Sequence, residues 1–207
     1  TGNVKTALAA ARSEQAANEQ PVVPIPVKPA TPSASDSTKM PFGDVRKGDW
    51  FYEDVAYVYE KGMMNGTGRA AFDPNASTTR GMIVTILARM AGVDTTKGVT
   101  WYAAGREWAM KNGISDGTNM EANVTREQLA AILFRYAVYQ GLDLVTLEDN
   151  LSRFSDRDAI SSYAVSATNW AVGQGLVKGS GDKLDPKGNA TRAQVAAILH
   201  RFCELGK

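Results

Sequence analysis

The sequence predicts an all-α fold in which three tandem helix-loop-helix repeats share one core. Three observations predict it: a helix-start motif that occurs three times, a glycine that ends the preceding helix in each copy, and apolar spacing typical of amphipathic helices. A unit of about 50 residues with two helices cannot bury its apolar faces alone. The three copies are therefore expected to pack against one another.

The longer helix of each repeat is predicted from a Thr-Arg pair followed by an apolar stripe. Three segments align without a gap: 79–90, 125–136 and 191–202. In the first, Ile83, Ile86 and Leu87 recur at the spacing of one helix face. Each threonine stands where an N-cap residue belongs, so an arginine falls in the first turn, which the helix dipole disfavours. The same unfavourable choice in three copies requires a reason.

The shorter helix of each repeat is predicted to end on a glycine, with a second glycine turn four residues later. The first glycines are Gly62, Gly113 and Gly175, and the second are Gly66, Gly117 and Gly179. An aromatic residue lies twelve positions before the first glycine in every copy: Trp50, Trp101 and Tyr163. Another lies five positions before it: Tyr57, Trp108 and Trp170. This order divides the chain into repeats at 42–92, 93–141 and 142–207.

The first forty residues differ from the rest. An Ala-rich segment is followed by a stretch that contains six of the eight prolines, between positions 21 and 41. Proline at this density prevents a helix and favours an extended, polyproline-type spacer. We therefore predict that residues 1–41 are an Ala-rich segment and a Pro-rich linker.

Composition excludes several classes of protein. Lys and Arg total 23 against 22 for Asp and Glu, a net charge of +1, so no global field favours nucleic acid or an anionic membrane. No stretch approaches the roughly 20 consecutive apolar residues of a membrane-spanning helix. His200 and Cys203 are the only soft metal ligands, so neither a zinc site nor any other cofactor is expected, and both are predicted to lie on a packed helix. We predict no catalysis, although a carboxylate-only hydrolase stays open.

Several short motifs recur in the same order. The first repeat contains Phe42-Gly43-Asp44-Val45, then Trp50-Phe51, and later Phe72-Asp73-Pro74; the third contains Phe154-Ser155-Asp156 and Leu184-Asp185-Pro186. In both repeats these motifs are followed by the Thr-Arg helix start. With these motifs the chain resembles a tandem of three S-layer homology (SLH) domains over about residues 41–205.

The resemblance implies a pseudo-threefold, three-lobed spindle that anchors exported proteins non-covalently on the bacterial cell wall. The implied location is extracellular, and the implied ligand is a secondary wall polysaccharide, often carrying pyruvate ketals, in grooves between the lobes. The Thr-Arg-Ala-Glu motif of the family lies at these grooves. Matched position by position, this motif nominates Arg80, Arg126 and Arg192 as carbohydrate-binding residues.

Physical chemistry gives these arginines a rationale. The unpaired N–H groups of a helix N-terminus, with an Arg fork beside them, suit a sugar carboxylate. Trp50 and Trp101 are candidates to stack on a pyranose, and Asp44 and Asp156 to accept sugar hydroxyls. Structural alternatives stand beside these roles: the tryptophans in the core, the aspartates as helix caps or partners of an arginine, and the arginines in ion pairs.

The chain also departs from the family pattern. The fourth motif position holds Met82, Gln128 and Gln194 where the family has glutamate, and the third holds Gly81 in the first copy. The middle copy lacks the Phe-x-Asp start, and its spacing from helix-ending glycine to arginine is 13 residues against 18 and 17, so its loop is trimmed and lacks the x-Asp-Pro turn. Three alternatives therefore stay open: peptidoglycan as the ligand, protein–protein assembly in a surface layer, and anchoring of a surface enzyme.

Overall fold

The computed structural model describes residues 40–68, 70–146 and 148–205. These residues form six α-helices and no strand, so the all-α prediction is confirmed. The helices are α1 (Tyr52–Glu60), α2 (Arg80–Met90), α3 (Ala103–Lys111), α4 (Arg126–Tyr139), α5 (Val165–Gly173) and α6 (Arg192–Glu204). Two short 3-10 helices, Arg157–Ala159 and Ser162–Ala164, precede α5. The predicted Ala-rich segment and linker lie outside the described residues, except for positions 40 and 41.

The longer helices begin where the Thr-Arg motif predicts. The hydroxyl of each threonine accepts a bond from the backbone N–H three residues on, at 3.3 Å: Met82, Gln128 and Gln194. In the second and third repeats the backbone N–H of the threonine also donates to the glutamine Oε1, at 3.1 Å. This second bond completes a capping box. Glutamine thus serves as a capping residue at the position where the family carries glutamate, whereas the thioether of Met82 lacks a comparable acceptor.

The shorter helices end where the glycines predict. Gly62, Gly113 and Gly175 have φ values of 66°, 66° and 69°, the left-handed conformation that ends a helix at low cost only in glycine. The chain then leaves each helix towards the loop that leads into the next Thr-Arg motif. The repeat is therefore a short helix, a glycine turn, a loop and a longer helix, as predicted.

Helices pair across repeats instead of within them. The longer helix of repeat 1, α2, packs on α3 of repeat 2, and α4 of repeat 2 packs on α5 of repeat 3. The longer helix of repeat 3, α6, returns to pack on α1 of repeat 1. The pairing is therefore cyclic, and each helix pair contains parts of two repeats.

One apolar core connects the three repeats. Leu87, Leu133 and Leu199 occupy the same position of the three longer helices, and each is at most 1% exposed. They belong to one cluster of buried residues drawn from all three copies. Because apolar burial contributes about 25 cal/mol per Å², this shared cluster supplies the stability that one helix pair lacks. The prediction of a shared core is confirmed.

A closed ring of backbone hydrogen bonds fixes the three helix starts relative to one another. Thr78, Val124 and Ala190 each precede a capping threonine, and all three are fully buried. Thr78 N donates to Ala190 O, Ala190 N to Val124 O, and Val124 N to Thr78 O, each at 2.9 Å. Since buried backbone groups require partners, the ring satisfies one donor and one acceptor of each repeat at the same point. We call this ring the central triangle.

No helix among the described residues is both long enough and apolar enough to span a membrane.

Candidate binding grooves

Three junctions surround the central triangle, and each joins the start of a longer helix to a loop of the next repeat. At junction 1–2 the start of α2 meets residues 115–122 of repeat 2. At junction 2–3 the start of α4 meets residues 184–188 of repeat 3. At junction 3–1 the start of α6 meets residues 65–76 of repeat 1.

Backbone carbonyls of these loops engage the first N–H groups of each longer helix. At junction 1–2, Arg80 N donates to Ala122 O at 3.0 Å and Gly81 N to Met120 O at 2.7 Å. Equivalent bonds join Arg126 N to Gly188 O, Glu127 N to Pro186 O, Arg192 N to Ala76 O and Ala193 N to Pro74 O, all at 2.9–3.0 Å. The expectation that these N–H groups point outward to a ligand is therefore wrong, because the neighbouring repeat uses them.

The three motif arginines also reach into the neighbouring repeat. Each Nε donates to the carbonyl at the same position of the next loop: Arg80 to Thr118 O at 3.1 Å, Arg126 to Leu184 O at 2.6 Å, and Arg192 to Phe72 O at 2.6 Å. This shared contact explains why an arginine recurs in a first turn that the dipole disfavours. A bond from a charged donor, worth about 1.5–3 kcal/mol, outweighs a dipole effect of about 0.3–1 kcal/mol.

Arg192 is the most deeply placed of the three. It is 7% exposed, donates a second bond from Nη2 to Asn65 O at 2.6 Å, and lies 4.5 Å above the Phe72 ring. Burial lowers the pKa of this guanidinium, while the nearby charges of Asp44 and Asp73 act to raise it. Arg192 therefore holds the loop of repeat 1.

Arg80 and Arg126 are partly buried. Arg80 pairs its Nη2 with Asp116 Oδ1 at 2.6 Å, and its side chain is 13% exposed. Burial lowers the pKa of Arg126, and the charges of Asp185 and Asp156 act to raise it. Each motif arginine thus has carboxylates of the following repeat close by.

Asp44 and Asp156 clamp the loops of their own repeats. Asp44 accepts from Phe72 N and Asp73 N, both at 2.8 Å, and Asp156 accepts from the equivalent N–H groups of Leu184 and Asp185 at 2.9 and 2.8 Å. Burial raises the pKa of each carboxyl, but these backbone bonds outweigh it, so both pKa values lie below their usual value. This loop-clamping role was not predicted for either residue.

Exposed aromatic rings recur at the same position of the three repeats. Trp50, Trp101 and Tyr163 are 64%, 52% and 55% exposed, so the alternative of a core position is wrong for both tryptophans. Trp101 lies against the start of α2, since a Cβ at Gly81 would be 3.2 Å from Trp101 Cη2. Trp170, in contrast, is 1% exposed.

A buried polar cluster at junction 2–3 was missed by sequence reasoning. Glu127, at the third motif position, is 4% exposed and accepts bonds from Ser161 N and Ser161 Oγ at 2.9 Å, Tyr163 Oη at 3.3 Å and Lys187 Nζ at 2.6 Å. Burial raises the pKa of Glu127, but the bonds from Lys187 and Ser161 outweigh it and leave the pKa below its usual value. The sequence did contain one signal for this cluster: repeat 2 has a glutamate at the third motif position, one place before the position where the family has it.

An open cleft of about 640 Å³ lies beside α3 in repeat 2. Its lining includes Tyr102, Arg106, Met110 and Met120. Arg106 crosses from α3 to the loop, donating from Nε to Gly117 O at 2.6 Å. The cleft is of a size that accommodates a small ligand.

His200 lies where α6 packs on α1. Its Nδ1 is 2.8 Å from Asp54 Oδ1, and its ring stacks on Tyr57 with a 4.0 Å separation of centroids. Cys203 lies partly buried on the same helix, so the prediction that both residues lie on a packed helix is confirmed. Among the residues that the structure describes, no group of three His, Cys, Asp or Glu side chains is arranged to hold a metal ion.

Comparison with known proteins identifies the repeats. The profile of the S-layer homology domain matches residues 41–81 and 153–196, in repeats 1 and 3. An endoglucanase of Bacillus sp. strain KSM-635 is 31% identical over 84% of this chain, and an amylopullulanase of Thermoanaerobacterium thermosulfurigenes is 32% identical over 79%. The S-layer protein sap of Bacillus anthracis is 24% identical over 76%. The matches span 20%, 9% and 20% of the length of these relatives. Together with the repeated Thr-Arg helix starts, these matches show that the chain contains S-layer homology domains, at residues 41–81 and 153–196.

Proposed function

We propose that this chain is a non-covalent anchoring module that binds wall polysaccharide in grooves at its repeat junctions. The S-layer homology matches and the S-layer relatives indicate a location at the bacterial cell surface. Its relatives include both an S-layer protein and enzymes that act on polysaccharides by name. A module shared by such different proteins fits a common attachment role, with the cargo in the remainder of each protein.

The exposure of Trp50 and Trp101 is the observation that carries the proposal. Both rings are more than half exposed, although an indole contributes strongly to stability when buried. They occupy the same position of two repeats, and Trp101 contacts the first turn of α2. An aromatic face beside a polar helix start offers a sugar a stacking surface and hydrogen-bond partners together. The cyclic helix pairing supports a three-lobed arrangement with such grooves between the lobes.

The motif residues shape these grooves in the proposal. Arg80, which is only partly buried, presents N–H groups to a carboxylate of the glycan, such as a pyruvate ketal. Arg126, also partly buried, presents N–H groups to sugar hydroxyls at junction 2–3. Arg192 acts by holding the groove wall. Asp44 and Asp156 use their remaining lone pairs to accept sugar hydroxyls. Two grooves on one polymer chain add avidity without any new type of contact.

Co-sedimentation with cell-wall sacculi tests the proposal. The chain is expected to bind intact sacculi, and acid extraction of the secondary polysaccharide should abolish binding. Trp50→Ala and Trp101→Ala should each weaken retention several-fold, and the double variant should lose it. Tyr139→Ala is the matched control, because this exposed aromatic lies at the opposite end of α4 from the junction.

Each contrary result has a different consequence. Retention that survives extraction indicates peptidoglycan as the wall partner. No retention of the folded wild-type chain contradicts wall anchoring and favours the surface-layer assembly alternative, which sedimentation velocity over a concentration series tests directly. Retention of the folded double variant at wild-type strength contradicts the role given to the tryptophans.

A further inference from the structure

Junction 2–3 contains a complete set of donors around one carboxylate. Lys187 Nζ, Ser161 N, Ser161 Oγ and Tyr163 Oη all reach Glu127 within 2.6–3.3 Å. The carboxylate itself is 4% exposed, whereas Tyr163 is 55% exposed and the Lys187 side chain 52% exposed. The donor set therefore opens to the surface, and Glu127 fills it from inside the protein.

The other two junctions lack this arrangement. The positions that match Glu127 hold Gly81 at junction 1–2 and Ala193 at junction 3–1. The positions that match Lys187 hold Glu121 in repeat 2 and Asn75 in repeat 1. The buried carboxylate and its lysine thus occur together at one junction of the three.

We propose that the groove at junction 2–3 is a carboxylate-binding site occupied by the chain's own Glu127. One charged and three neutral donors converging on a single carboxylate are the groups that an external carboxylate would require. While Glu127 fills the site, a second carboxylate meets a like charge and four donor groups that already bond Glu127. This groove therefore excludes acidic saccharides, and the grooves at junctions 1–2 and 3–1 are the ones left to accept them.

Removal of the side chain creates a matched vacancy. Glu127→Ala deletes a CH2 group and the carboxylate, which together correspond to acetate, and Glu127→Gly deletes the equivalent of propionate. Alanine and glycine already occupy this position in the other repeats, so the backbone of the first turn accommodates both. The probes are therefore sodium acetate and sodium propionate, with sodium chloride at equal ionic strength as the reference.

Acetate should restore what Glu127→Ala removes. We expect the thermal midpoint of this variant to rise with the logarithm of acetate concentration above the dissociation constant, by roughly 3–6 °C at about ten times that constant. Wild type should gain no more from acetate than from chloride. Glu127→Gln keeps the site filled, so, like wild type, it should gain no more from acetate than from chloride. Lys187→Met in the Glu127→Ala background should abolish the rise. Propionate should favour Glu127→Gly in the same way.

Two results would overturn the proposal. One is a folded Glu127→Ala chain that acetate stabilises no more than chloride, or stabilises equally with and without Lys187. The other is a Glu127→Ala chain that fails to fold even with acetate present. If this variant folds only in acetate, that dependence supports the site directly.

The assignment of working grooves rests on the proposed function and has a separate readout. On sacculi, Tyr163→Ala should bind as wild type does, while Trp101→Ala binds several-fold more weakly. Equal losses for the two variants would overturn the exclusion at junction 2–3. If neither wild type nor any variant bound the wall, the anchoring function would be contradicted. The carboxylate site would still be supported if acetate stabilised Glu127→Ala.

Discussion

The outer repeats and the middle repeat close their loops in different ways. In repeats 1 and 3 a carboxylate near the start of the repeat, Asp44 or Asp156, holds two N–H groups 28 and 29 residues further on. In repeat 2, Asp116 accepts from Thr118 N, only two residues away, at 3.0 Å. Asp94, which aligns with Asp156, bonds Thr96 of its own turn. The longer loops require a long-range clamp, whereas the trimmed loop closes through a local turn.

The turn that receives the arginine is common to all three repeats. Asp73, Asn119 and Asp185 have φ values of 55°, 50° and 51°, a left-handed conformation that Asp and Asn tolerate better than most residues. The middle copy therefore keeps the turn with Asn119 and Met120, although it lacks the x-Asp-Pro sequence. The arginine contact therefore requires the turn in every repeat, whereas the length of the loop that leads to the turn differs between the middle and the outer repeats.

Loss of an arginine should break an outer loop more severely than the middle one. Arg192→Ala removes two charge-assisted bonds from a buried site in repeat 1 and should lower the free energy of unfolding by about 3–5 kcal/mol. Arg80→Ala, which acts on repeat 2 and pairs with an exposed Asp116, should lower it by about 1–2 kcal/mol. Urea denaturation measures both, and equal losses would contradict the contrast.

Glu127 should give junction 2–3 a pH dependence that the alanine at junction 3–1 does not provide. The pKa of Glu127 lies below its ordinary 4.5 in the folded chain, so its contribution is fully present above that pH and is lost as pH falls through the folded value. Glu127→Gln should cost about 1–2 kcal/mol at pH 7, and this difference should shrink at pH 3. A difference that is independent of pH, measured by denaturation at both values, would argue against the ionised carboxylate.

The carboxylate clamps should distinguish outer from middle repeats. Asp44→Asn keeps one acceptor oxygen and loses the charge, so we expect a loss of about 1 kcal/mol. Asp94→Asn should change the thermal midpoint very little, because this exposed residue bonds only its own turn among the contacts seen. Hydrogen exchange at the Phe72 and Asp73 amides measures the clamp directly, and unchanged protection in Asp44→Asn would exclude it.

The ion pair of the middle repeat should have the smallest effect and depend on salt. Asp116 is 64% exposed in its pair with Arg80, so Asp116→Asn should lower the free energy of unfolding by less than about 1 kcal/mol. The loss should diminish in about 1 M salt, where the Debye length falls to about 3 Å. Thermal melts at low and high salt provide the measurement. A loss that salt does not reduce would indicate that the turn bond to Thr118 carries the effect.

Features encoded within a few residues were predictable. The threonine caps, the glycine stops and the apolar stripe of α2, α4 and α6 follow from local hydrogen bonding and helix periodicity, and all were confirmed. The exposure of Trp50 and Trp101 could not be chosen from sequence, because an aromatic residue near a helix start serves a core and a surface equally well.

The sequence by itself determined the number of repeats and the two helices in each, since caps, stops and spacing act over one or two turns. Tertiary structure alone decided that α2 pairs with α3 instead of α1, that each arginine reaches a carbonyl of the next repeat, and that Glu127 finds Lys187 sixty residues away. The physical reason is that these contacts depend on which surfaces meet once the central triangle closes. Repeats of similar sequence leave that choice open until all three are folded together.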